Sequence, residues 1–118
     1  CRAATGALGL ACLLAAVTCC GCATTPSRGD RWFARDKAFH AAGAGMVAGL
    51  VSASARNRGN SEDAAFAVGF GVAVGFGGAK ELVDSRPGGS GWSWRDLLWD
   101  AIGAAAGAWV GSSAVGER

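Results

Sequence analysis

Eight ionisable residues carry most of the chemistry open to this chain. They are Asp36, Lys37 and His40 in one segment, Lys80, Glu81 and Asp84 in a second, and Asp96 and Asp100 in a third. One histidine and several carboxylates folded around a common gap could bind a divalent metal or perform acid–base chemistry. A second outcome is a satisfied network in which Lys37, Lys80 and Arg95 pair with Asp100, Glu81 and Asp84, and His40 is hydrogen-bonded among them. The elements of a standard catalytic site are missing: the chain has no H-E-x-x-H, no G-x-S-x-G and no P-loop. The paired glycines Gly69 and Gly71 lack the third glycine that a dinucleotide-binding loop needs. The residues therefore point to a polar or ligand site at most. They imply no cofactor and leave a metal open; the chain leans toward a non-enzymatic role without excluding an enzyme, the alternative being a small-molecule, lipid or metal site, even a hydrolytic one, at this polar end.

These residues need elements to bring them together, and the pattern predicts three helices, at about 36–56, 62–84 and 93–115. Asp36 is a plausible N-cap of the first. The stretch from Arg56 to Asp63 is a turn, and Asn60 or Ser61 can cap the second helix, with Glu62 and Asp63 at its positive end. Pro87, Gly88, Gly89 and Gly91 forbid continuation past the second helix. Ser93 to Asp96 then forms a capping box of the S-x-x-[DE] kind that opens the third. Short connections make successive helices antiparallel, so the start of helix one, the end of helix two and the start of helix three share one end. All eight residues converge there. Asp96 and Asp100 lie on the same side of helix three as Gly103 and Gly107, so Asp100 should face the other helices. Trp92, Trp94 and Trp99 either close this end or anchor it at a membrane interface, where tryptophan is favoured.

Glycine costs a helix interior about 1 kcal/mol relative to alanine, so 20 glycines in 118 residues call for a reason. Small residues recur every fourth position: Ala41, Gly45, Gly49 and Ala53; Ala67, Gly71, Gly75 and Ala79; Gly103, Gly107 and Gly111. Each set drifts only about 40° per step and forms one stripe on which helices can approach closely, in the small-xxx-small mode. The expected fold is thus all-α, a small three-helix antiparallel bundle with Gly/Ala packing over residues 36–116. Its charge-free stretches, Ala38 to Ala55, Ala64 to Ala79 and Ala101 to Gly116, are close to or below the minimum of about 17 residues for a membrane span. A compact bundle tethered by lipid, or one partly sunk in a membrane, fits better than three full spans.

The N-terminal region sets the expected compartment. Arg2 and the apolar run Ala7 to Val17 resemble an export signal, and a run of small residues follows it. Cys19, Cys20 and Cys22 sit where a signal peptidase would cut. A C-x-x-C redox or metal pair, a plain signal peptide and a lipoprotein signal are all open to them. The lipoprotein reading, with residues 1–22 as the signal, is preferred. Cys22 after Gly21 is the preferred lipidated residue and Cys20 the alternative, with 23–35 as a linker. No cysteine lies beyond Cys22, so the helical domain holds no disulfide. A net charge of +2 with mixed signs, and no basic run interleaved with aromatics, argue against a nucleic-acid partner.

Three segments, Arg35 to His40, Gly77 to Asp100 and Gly103 to Gly107, closely resemble the YfiM-type periplasmic lipoproteins of Gram-negative bacteria. The family's D-K-x-x-H falls on Asp36, Lys37 and His40, its K-E-x-x-D on Lys80, Glu81 and Asp84, and its S-W-[KR]-D on Ser93 to Asp96. A more distant likeness is to VanZ-like membrane proteins, which share D-K-x-x-H, a later Glu near a helix end, and D-L-x-x-[ND] before G-x-x-x-G. The resemblance implies a lipid-anchored protein on the periplasmic face of the envelope, with a small helical domain and no established activity. Ala23 after the cysteine points to outer-membrane sorting by the usual enterobacterial rule. The partners implied are the membrane itself, through the N-terminal lipid, and an envelope protein or lipid.

Overall fold

The structure is a computed structural model and describes residues 32–33, 35–89 and 91–114. The signal segment 1–22 with Cys20 and Cys22, and the linker up to residue 31, lie outside the described residues. Three helices pack against one another: α1 (Arg35–Asn57), α2 (Glu62–Asp84) and α3 (Trp94–Ser113). No strand occurs among the described residues, so the expected all-α three-helix bundle is what forms.

The helix boundaries follow from local chemistry. Ser61 is the N-cap of α2, its hydroxyl accepting from the Ala64 N–H at 3.2 Å, and Glu62 and Asp63 occupy the first turn. Ser93 caps α3 and accepts from the Asp96 N–H at 3.3 Å. Asp36, expected to cap α1, lies one residue inside the helix, in its first turn. It faces the positive end of the helix dipole there, which suits a carboxylate as well as capping does. Between α2 and α3 the chain reverses through Gly88 and Gly91, both at φ near +90° (91° and 92°), a region open to glycine at little cost.

The first and third helices run parallel, with α2 antiparallel to both, and α1 and α3 share the largest interface. Their glycine stripes meet in register. A Cβ added at Gly103 would sit 2.6 Å from the carbonyl carbon of Ala41, one at Gly107 2.6 Å from that of Gly45, and one at Gly111 2.8 Å from that of Gly49. Backbone meets backbone along three turns, and only glycine on α3 allows it. The stripe expected on α2 does not take part. Ala67, Gly71, Gly75 and Ala79 are exposed, and a Cβ at Gly71 or Gly75 would meet nothing within 4 Å. The opposite face packs instead: Ala65, Gly69 and Ala73 are buried, and Gly77 continues the row. A Cβ at Gly69 would lie 2.5 Å from the Ala48 carbonyl oxygen, and one at Gly77 2.5 Å from Asp100 Oδ2.

Burial is inverted relative to a soluble bundle. Among the described residues, the buried apolar ones are Val47, Ala48, Ala55, Ala65, Ala73, Ala104 and Ala108. The largest fully buried side chains are Glu81, Ser52 and Ser112. Met46, Leu50, Phe76, Ile102 and Trp109 are half or more exposed or close to it, the tryptophan at 65%. By length and composition α1 and α2 are each apolar enough to cross a membrane.

Candidate functional site at the polar end of the bundle

The topology delivers the ionisable residues to one end. α1 contributes Asp36, Lys37 and His40 from its first turns, α2 contributes Lys80, Glu81 and Asp84 from its last, and α3 contributes Asp96 and Asp100. The opposite end is closed by Ser113 Oγ donating to Glu62 Oε1 at 2.8 Å, which ties the end of α3 to the start of α2.

Each charged group has a defined place. Lys37, almost fully buried, pairs with Asp96 Oδ1 and lies 3.6 Å from Asp36 and 3.5 Å from the Ser93 hydroxyl. Lys80 pairs with Asp84 at 2.6 Å, one turn away on its own helix, and lies 3.7 Å from Glu81. His40 Nδ1 lies 3.0 Å from Asp100 Oδ1, and its Nε2 lies 3.8 Å from Asp96 Oδ2. Glu81, 1% exposed, accepts from the Ser93 backbone N–H through Oε2 at 2.7 Å. That bond spans the α2–α3 turn, so one buried carboxylate fixes where α3 begins. Arg95 stacks its guanidinium over the rings of Trp32 and Trp94, at 5.1 and 5.6 Å.

The expected network thus forms with changed partners. Lys37 takes Asp96 rather than Asp100, and Asp100 takes His40. The reason is register: Lys37 and His40 are three residues apart on α1, Asp96 and Asp100 four apart on α3, and two parallel helices align them pairwise. The carboxylates differ in how near they come to the histidine. Asp84 is drawn to Lys80, while Asp96 comes close to His40 and Glu81. Single ligand atoms of His40, Glu81 and Asp96 lie within 4.8 Å of one another.

Several contributors escaped the sequence reading. Gly77 makes room for Asp100, and its one signal was a place four residues before Glu81 on the same helical face. Trp32 and Phe33 precede the predicted helix yet pack on this end. Trp32 meets Trp94 edge-on at 5.1 Å and Phe33 meets Trp99 at 6.0 Å, while Trp99 Nε1 donates to the Trp32 carbonyl at 3.0 Å. Trp94 and Trp99 therefore receive the chain entering α1, while about half of the surface of both Trp92 and Trp94 stays exposed. Comparison of the chain with protein-family models, curated proteins and solved structures finds no match.

Proposed function

We propose that this chain is a membrane protein of the bacterial envelope, with its helical bundle embedded in the bilayer and a structural or partner-holding role rather than a catalytic one. The observation that carries the reading is the inverted burial. A core of one valine and six alanines, flanked by half-buried Val51, Phe66, Phe70 and Val74, gives limited hydrophobic stabilisation in water, at about 0.8 kcal/mol per buried methyl-sized group. Met46, Leu50, Phe76, Ile102 and Trp109 face outward. At roughly 1 kcal/mol for each half-exposed side chain, their transfer into lipid contributes about 5 kcal/mol, comparable to the whole stability of a small domain. Close glycine contacts between helices with large apolar residues outside are how helices associate where lipid surrounds them.

The likeness of Arg35–His40, Gly77–Asp100 and Gly103–Gly107 to YfiM-type lipoproteins, with the more distant one to VanZ-like membrane proteins, supports the same compartment. In this reading Cys22, or Cys20 in its place, carries a lipid that tethers the chain at the periplasmic face, with the outer membrane as its address. The polar end then sits at the membrane surface, where its tryptophans are favoured.

Alkaline carbonate extraction of envelopes expressing the Cys20→Ser/Cys22→Ser double variant separates the two ways of holding a membrane. The bundle should stay in the membrane pellet without its lipid. Complete release into the soluble fraction would overturn the embedded bundle and leave a lipid tether as the sole attachment. Labelling of the wild-type chain with a fatty-acid analogue, lost in the double variant, checks the anchor itself.

A further inference from the structure

We propose that His40, Glu81 and Asp96 form a binding site for one divalent transition-metal ion, zinc being the best match, with Asp100 orienting the imidazole from behind. The three side chains come from three different helices and present ligand atoms within 4.8 Å of one another. Ligand atoms around a tetrahedral ion lie about 3.4 Å apart, so closure asks for about an ångström of side-chain movement. One nitrogen and two carboxylates are a donor set that suits zinc and its neighbours better than calcium or magnesium, which favour oxygen alone.

The arrangement behind the three residues resembles that of a metal centre. A ligating histidine ordinarily gives its second ring nitrogen to a carboxylate, which fixes the tautomer and the ring. Here Asp100 Oδ1 lies 3.0 Å from Nδ1, which leaves Nε2 on the side of Asp96 Oδ2. Asp96 in turn has its Oδ1 held by Lys37, and Glu81 its Oε2 held by the Ser93 N–H. Each of the three residues is thus fixed through one atom; the second oxygen of Glu81, Oε1, lies 3.7 Å from Lys80 Nζ, an ammonium that a bound ion would have to displace.

A further observation favours a cation at this end. Asp100 is only 4% exposed, and its Oδ2 has no hydrogen-bond partner. That oxygen faces Gly77, one turn before Glu81 on α2, where an uncompensated carboxylate is costly. Acidic groups are concentrated here as well: Asp36, Glu81, Asp84, Asp96 and Asp100 stand beside Lys37, Lys80 and the His40 imidazole. Three protein ligands also leave at least one coordination position open to water or to an anionic group.

The test uses the full chain in detergent micelles, with its thiols blocked by N-ethylmaleimide so that the cysteines take no zinc. His40 is the only histidine, so selective 15N-histidine labelling reports one imidazole. One equivalent of zinc should shift the Nε2 resonance and leave Nδ1 protonated. Calorimetric titration should give one site, with affinity reduced about ten- to a hundredfold in Asp100→Asn and more in Asp96→Asn. Unmoved His40 resonances at millimolar zinc would overturn the site, whatever the variants do. So would a titration in which Asp96→Asn and Glu81→Gln bind as tightly as wild type.

Discussion

Alanine at Gly107 tests the packing scheme most directly. Its Cβ would arrive 2.6 Å from the carbonyl carbon of Gly45, about an ångström inside ordinary carbon–carbon contact. The obstacle is backbone, so no side chain can swing away, and α1 and α3 must separate. A gap of 0.5–1 Å forfeits about a quarter to a half of each dispersion contact along the interface. Overpacking of this kind costs typically about 1–3 kcal/mol, from which up to about 1 kcal/mol of improved helix propensity is recovered. The net expectation is a loss of about 2 kcal/mol for Gly103→Ala, Gly107→Ala or Gly111→Ala. On α1 the same change is milder: a Cβ at Gly45 or Gly49 meets the facing carbonyl oxygen at 3.0 or 3.1 Å, so a shift of a few tenths of an ångström suffices. Those variants should fall near wild type. On α2, Gly71→Ala and Gly75→Ala enter open space and should be neutral or stabilising, by up to about 1 kcal/mol. Unfolding by SDS titration in mixed micelles, followed by far-ultraviolet circular dichroism, ranks all seven variants. Equal damage at Gly75 and Gly107, or wild-type stability at Gly107, would refute both the register and the facing of α2.

Other expectations concern the caps and the buried carboxylate. Ser61→Ala should cost about 1 kcal/mol through loss of the 3.2 Å cap to Ala64, and Ser61→Asp should restore it, both read in the same unfolding assay. Glu81→Ala strips the acceptor from the Ser93 N–H and should cost about 2–3 kcal/mol, whereas Glu81→Gln keeps an acceptor in place and should retain most of the stability. Equal loss in the two Glu81 variants would mean that charge rather than the hydrogen bond holds the α2–α3 turn.

Helix existence was legible because Gly, Pro and the serine caps punctuate the chain so strongly; the observed bounds of α2 coincide with the expected ones. The facing of α2 was not. Its sequence carries two rows of small residues at four-residue spacing, Ala67-Gly71-Gly75-Ala79 and Ala65-Gly69-Ala73-Gly77, about 200° apart on a helix. Spacing alone ranks them equally, and a hydrophobicity rule for soluble proteins would point the larger neighbours inward. What separates them is continuation: the second row runs on to Glu81, the first to Ala79. Where the surroundings are apolar, the face that ends in an ionisable residue is the one that needs protein partners.

Convergence of the three segments follows from short loops and antiparallel neighbours, and it needs no side-chain detail. Pairing does not follow, because it depends on the axial offset between two parallel helices. That offset is set by backbone contact of Gly45 with Gly103 and of Gly49 with Gly107, about one to two and a half turns from His40 and Asp100. Sliding α3 by one turn would bring Lys37 opposite Asp100 and remove His40 from its partner. The glycine stripe and the polar end are therefore one device: close contact in the apolar middle fixes the register, and the register decides that His40 meets Asp100 while Lys37 meets Asp96. A destabilising alanine at Gly107 should on this account also disturb the His40 ring resonances, although the two residues do not touch.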